Sequence, residues 1–256
     1  VLTVPGFEQY ADGPAAAADL SARLAVAGQA VAATAAGLTD ADARAPSLLP
    51  GWTRGHLLTH IARNADGLRN LLIWARTGTE TPQYASAAER DARIAAGAGR
   101  PAAKLRADVE AADAAFAAEA ASLRAPDWDA QVHGLRGPDH PAWYTLWRRL
   151  SEVEIHHVDL GTGYRPADWP DAFARQGLTR MAVEFQAPDL PRVTLQAAES
   201  GLTQELGPKP ADRGQAGPVP VLTGPAAELL AWLIGRGDGA GLSVQPPGPL
   251  PKVPAW

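Results

Sequence analysis

An α+β chain in two parts, a four-helix bundle over residues 1–163 and a smaller α+β domain over 164–256, is the architecture this sequence predicts. Three observations carry that expectation. Roughly the first 160 residues contain four long stretches with apolar side chains at helical spacing, the texture changes after Gly163 at Pro166 and Pro170, and beyond them short strand-like runs alternate with helical ones. At 256 residues and 46% hydrophobic content the chain has enough apolar surface to bury a substantial core.

The first helix is expected over 15–37, with Leu20, Leu24 and Val31 on one side and Gly37 ending it; Pro46 and Pro50 then force a loop. The second is expected over 53–76, with Thr53 as cap, Leu57, Ile61, Leu68, Leu71 and Ala75 as its apolar stripe, and Gly78 closing it. Ser86 and Glu89 have capping-box spacing, so a third stretch begins there, is interrupted over 97–101 and resumes through Leu105, Val109 and Phe116 to Leu123. Residues 127–140 read as a loop. The fourth helix, 141–162, places Leu146, Leu150, Val153, His157 and Leu160 on an apolar stripe and Thr145, Arg149, Glu152, His156 and Asp159 on a neighbouring stripe that is wholly polar. In the second part a helix is expected over 171–185, strands over 192–198, 203–206 and 219–222, a helix over 225–234, a short strand over 242–244 and an extended Pro-rich tail from 246.

Composition removes several classes of function. The net charge of -5 gives no reason to expect phosphate backbones or anionic membranes as partners, and no apolar run approaches the roughly 20 residues that span a bilayer. Residues 1–10 have neither a basic start nor a continuous apolar stretch, so a cytoplasmic monomer without membrane or nucleic-acid partners is the expectation. With no cysteine, metal ligands have to come from His, Asp and Glu, and any sulfur chemistry has to use a thiol brought from outside.

All six histidines fall between His56 and His157. Glu152 and His156 stand one helical turn apart on one face, so with a third ligand from another helix they can hold a divalent metal. On spacing alone either His56 or His60, themselves four residues apart, supplies that third ligand. The competing reading is a solvated polar face with a helical ion pair. His157, on the apolar stripe, reads as a partly buried histidine donating to a backbone carbonyl rather than a ligand, and Asp159, one turn beyond His156, or Arg149, one turn before Glu152, as a residue that orients the ligands.

The stretch Pro50-Gly-Trp-Thr-Arg-Gly-His56-Leu-Leu-Thr-His60-Ile-Ala-Arg-Asn64-Ala-Asp66, with Glu152-x-x-x-His156-x-x-Asp159-Leu160, Tyr84, Arg90 and Trp232-Leu-Ile-Gly-Arg236, resembles the mycothiol-dependent maleylpyruvate isomerase family, in the wider DinB-like group of metal-binding four-helix bundles. The resemblance covers nearly the whole chain. It implies a zinc ion on His60, Glu152 and His156, with His56 a neighbour, and a smaller domain resembling sterol-carrier folds. That domain supplies an arginine important for activity, at Arg236; the other reading of Arg236 is a cation favoured near a helix C-terminus. It also implies mycothiol as thiol cosubstrate and conversion of maleylpyruvate to fumarylpyruvate by thiolate addition, bond rotation and elimination. Two alternatives stand beside it: a mycothiol S-transferase that conjugates the thiol to a small electrophile, and a metal-free binding or regulatory module.

Overall fold

The computed structural model describes residues 4–135, 137–184, 190, 192–207 and 219–253. Residue 185, the last of the helix expected over 171–185, and 254–256 at the end of the Pro-rich tail lie outside them. The chain divides into two compact units, Tyr10–Gly163 and a second that joins Thr3–Gln9 to Tyr164–Trp256.

In the first unit four long helices form the bundle: α1 (Gly13–Ala36), α3 (Arg54–Thr77), α5 (Ala102–Ser122) and α6 (Tyr144–Asp159), with the short α2 (Asp40–Arg44) and α4 (Ala87–Gly97) between them. Each long helix packs against two others, α3 on α5 and α6, α1 on α6 and α5, which closes a ring around a shared core. The core is the set the helical spacing picks out. Leu20 and Val31 of α1, Leu57, Ile61, Leu68 and Leu71 of α3, Leu105, Val109 and Phe116 of α5, and Leu146, Leu150 and Val153 of α6 are all essentially inaccessible to solvent.

Local chemistry sets the helix ends. Asp12 accepts from the Ala15 amide to start α1, and Thr53 from the His56 amide to start α3. Gly78, at φ 71°, ends α3 in the left-handed conformation that a side chain would disfavour. Ser86 caps the Glu89 amide while the Glu89 carboxylate accepts from the Ala85 amide, so the first turn of α4 is tied down from both directions.

Two segments differ from the sequence reading. Between Gly37 and Pro46, where a loop was expected, Thr39 and Asp42 form a reciprocal capping box that folds the five residues of α2. Within 127–140, also expected as loop, the chain makes a 3-10 turn at Ala125–Asp129 and a minimal antiparallel ladder between β1 (Gln131–Val132) and β2 (His140–Pro141).

The second unit holds α7 (Asp171–Glu184), β3 (Val193–Ala197), β4 (Thr203–Leu206), β5 (Val221–Gly224), α8 (Ala226–Leu233) and β6 (Ser243–Gln245). The sheet order is β4-β3-β5-β6, antiparallel at both outer pairs and parallel between β3 and β5. Helices α7 and α8 pack together, α8 against β3 and β5, and Phe173, Leu178, Leu195, Leu222, Leu229 and Leu230 fill the space between. The molecule is thus of the α+β class. Among the described residues no helix is long and apolar enough to cross a membrane.

Candidate metal centre

The polar stripe of α6 is not a solvated face. Thr145, Arg149, His156 and Asp159 are each buried, and only Glu152, its side chain 28% exposed, reaches towards solvent. Burying four polar groups on one helix is costly unless they find partners. The Thr145 hydroxyl has none among the described residues, and the rest of the stripe divides into two clusters that find partners in different ways.

In the upper cluster Arg149 brings its own charge. Its terminal nitrogens donate to the Ile61 carbonyl at 2.8 Å, the Asn64 side-chain oxygen at 2.9 Å and the Asp113 carboxylate at 2.6 Å. The guanidinium therefore ties α6 to α3 and α5 and touches none of the expected ligands. Asp113 went unnoticed in the sequence, because nothing in its own helix marks it as the acceptor for an arginine 36 residues away.

One turn on, three Lewis-basic atoms converge. His60 Nε2 lies 2.9 Å from Glu152 Oε2 and 3.1 Å from His156 Nε2, and His156 Nε2 lies 3.2 Å from the same carboxylate oxygen. Among the described residues, this is the group of three His, Asp or Glu side chains whose ligand atoms come within 4.8 Å of one another. His156 Nδ1 donates to the buried carboxylate of Asp159 at 2.8 Å. A carboxylate can only accept, so a proton sits on Nδ1, and when His156 is neutral its Nε2 lone pair faces the cluster. Of the two residues expected to orient the ligands, Asp159 is in contact with one and Arg149 with none.

The electrostatics express the crowding. Burial holds the His60 imidazole below its ordinary value, against the opposing pull of Glu152. Burial would by itself raise the Glu152 carboxyl, yet hydrogen bonds from His156 and His60 override it and keep the carboxyl well below its usual range. Burial also presses on His156, but its bonds to Asp159 and Glu152 outweigh that and raise it.

The other histidines separate from the centre. His56 serves the helix end: its Nδ1 accepts from the Thr53 amide at 3.2 Å, completing the cap of α3, and Trp52 stacks on its ring. His157 is buried, and its Nε2 bonds the Thr34 hydroxyl at 2.8 Å, which ties α6 to α1. Trp52 also meets His60 edge-on, ring centres 5.6 Å apart, forming an aromatic wall that sequence spacing gave no reason to single out. On the other flank Tyr84 and Arg90 approach. The phenol of Tyr84 is pushed up to about 12, first by burial and then by the charge of Glu152, with Arg90 opposing. An Arg90 nitrogen stands 3.4 Å from His60 Nδ1.

Arg236 lies in the second unit just after α8, preceded by Gly235 at φ 72°, and donates from NH1 to the Ile234 carbonyl at 2.8 Å.

A set of two imidazoles and one carboxylate on facing helices is chemically that of a catalytic zinc site with a position left open. The family model of the mycothiol maleylpyruvate isomerase N-terminal domain matches residues 24–161, and the model of the MDMPI C-terminal domain matches 165–255. Two solved structures are similar throughout, the crystal structure of the mycothiol-dependent maleylpyruvate isomerase and that of a His-to-Ala mutant of it. Each is 28% identical, with a TM-score of 0.85 over 94% of this chain and 97% of that one. No curated protein matches the chain.

Proposed function

Because the chain belongs to the mycothiol maleylpyruvate isomerase family, with its two domain models together spanning most of the sequence, we propose that it is a mycothiol-dependent enzyme converting maleylpyruvate to fumarylpyruvate, with zinc held by His60, Glu152 and His156. The observation that carries the reading is the convergence of those three ligand atoms within 4.8 Å on two packed helices. A dication there, with two neutral imidazoles and one carboxylate, leaves a local charge near +1 that favours an incoming thiol as its thiolate.

The chain's own residues do the rest. Asp159 locks the His156 tautomer, Trp52 and the bundle core limit water, and the lack of cysteine leaves the nucleophile to the cosubstrate. The thiolate lone pair forms a carbon-sulfur bond at the cis double bond, and the π electrons move to the neighbouring ketone oxygen. The resulting single bond rotates, and their return expels the thiolate and leaves the trans alkene. Arg236 clamps a substrate carboxylate, a role suited to a guanidinium fork.

The test is to incubate protein purified without added metal with mycothiol and maleylpyruvate, and to measure zinc per chain and the trans product together. Zinc near one per chain with catalytic mycothiol is the expected result. A stable thiol adduct that consumes mycothiol stoichiometrically would replace isomerisation by S-transfer. Zinc at trace level, with no effect of His60→Ala, would reduce the bundle to a binding module.

A further inference from the structure

Around the three convergent ligands the bundle carries several arginines, and their partners sort them. Arg149 is inaccessible and held by three acceptors; Arg63 and Arg100 share the carboxylate of Asp108; Arg54 donates to the carbonyls of Leu160, Asp42 and Gly161. Each is committed to holding helices together. Arg90 is placed differently. Its side chain is 28% exposed, one nitrogen pairs with Asp91 at 2.7 Å, and another lies 3.4 Å from the ring of His60. Asp91 is itself 66% exposed, so that ion pair is a surface contact of little strength that an incoming carboxylate can replace.

The position of Arg90 is also fixed by the fold. It sits in the first turn of α4, whose cap is tied by Ser86 and Glu89, and its amide donates to the Ser86 carbonyl at 3.1 Å. The preceding Gln83 and Tyr84 dock so closely on α3 that a Cβ at Gly67 would come within 2.8 Å of the Gln83 carbonyl and 3.0 Å of the Tyr84 ring. An arginine anchored at its backbone, with its side chain 28% exposed and its guanidinium adjacent to a ligand of the centre, is the arrangement that receives a carboxylate bidentately.

We infer that Arg90 is a substrate-docking residue of this centre, holding the carboxylate next to the double bond of the acceptor. The inference rests on the isomerase reading for the identity of that acceptor. The carbon that the thiolate attacks is bonded to this carboxylate, so two anions must approach within a few bond lengths. A cation on the carboxylate removes their repulsion, which would otherwise oppose formation of the carbon-sulfur bond. The carboxylate at the oxo-acid end is left to Arg236.

The experiment uses the zinc-loaded full chain and its Arg90→Gln, Arg90→Lys and Arg236→Gln variants. It reads zinc content, kcat and KM for maleylpyruvate, and the dissociation constant of maleate by calorimetry. Maleate carries the carboxylate beside the double bond and lacks the oxo-acid end. Arg90→Gln is expected to raise both KM and the maleate dissociation constant about 10- to 100-fold with zinc unchanged, Arg90→Lys to recover part of that, and Arg236→Gln to leave maleate binding intact. Loss of zinc from Arg90→Gln with maleate affinity preserved would make Arg90 a support for His60 and overturn the inference, as would unchanged KM and maleate affinity. If the wild type binds maleate but does not isomerise maleylpyruvate, the functional reading falls while the calorimetry still decides the role of Arg90.

Discussion

The two buried polar clusters of α6 are one helical turn apart and opposite in construction. Around Arg149 the positive charge is supplied by the chain, and three oxygens from α3 and α5 close around it. Around Glu152 the arrangement is inverted: one carboxylate and two imidazole nitrogens from two helices surround a common point, and the charge that would complete them is that of an ion. The difference teaches how to separate a structural polar network from a site when burial is the same. A structural network pairs donors with acceptors, whereas a site gathers atoms of one kind.

The most severe way to break this contrast is at Glu152. Glu152→Gln keeps the shape and removes the ligand charge, so zinc per chain should fall far below one and turnover by more than about 100-fold, since even residues that only orient ligands cost about 10- to 100-fold. Its melting temperature should match that of wild-type protein stripped by a chelator. A Glu152→Gln protein that retains zinc and turnover would show that the convergence has no catalytic meaning.

Arg149→Ala acts on the other cluster and should do the reverse. It strands Asp113 and Asn64 and empties the junction of three helices, a loss of about 3–5 kcal/mol in denaturant unfolding that is as large in chelator-treated protein as in zinc-loaded protein. If the loss were confined to the zinc-loaded form, the two clusters would be one unit and the contrast would fail.

How much of this was legible in the sequence follows from the range of the interactions. The polar stripe was visible because 3.6-residue periodicity is local, and the four bundle helices were visible for the same reason. Whether the stripe faces solvent or core is decided by its neighbours on other helices, so a solvated ion pair stood beside the metal site for Glu152 and His156. For the same reason Arg149 read as a residue that orients the ligands until Ile61, Asn64 and Asp113 are seen to hold it. The ambiguity between His56 and His60 was of the same kind. Both spacings satisfy a helix, and only the packing of α3 on α6 aims one at Glu152 and leaves the other at the cap. The short α2 was missed although Thr39 and Asp42 spell its capping box, because two prolines nearby argued for a loop. The ladder of β1 and β2 is too short for any period-two pattern to register.

His140 sharpens the contrast with an imidazole that has its own partners. Its Nδ1 donates to the Pro141 carbonyl at 3.1 Å and its Nε2 accepts from Arg148 at 3.2 Å, a neutral ring with both nitrogens used. Burial first, then the Arg148 charge, outweigh the Pro141 bond and the Asp139 carboxylate and bring it down from 6.5 to about 4, with His133 adding a smaller push the same way. Since the folded value lies below the unfolded one, this contribution is fully present above pH 6.5 and is lost as pH falls from there towards 4, amounting to about 3 kcal/mol at most. His140→Gln should flatten that part of the stability profile in zinc-free protein. An unaltered acid slope would mean that other groups set it.

The smallest effect is expected at His56, where the sequence offered an equal rival to His60. His56 reaches the Thr53 amide and stacks under Trp52, so His56→Ala removes one side of a capping box and part of an aromatic contact. Thr53 keeps its own bond to the amide of residue 56, and the cost should be about 1 kcal/mol or less in unfolding free energy. Zinc content should be unchanged, and a change in KM is possible only through Trp52, which also touches His60. Should His56→Ala release zinc while His60→Ala retains it, the ion would sit at the end of α3 near the cap rather than between α3 and α6. The inverted cluster around Glu152 would then be a hydrogen-bonded network of the same kind as that around Arg149.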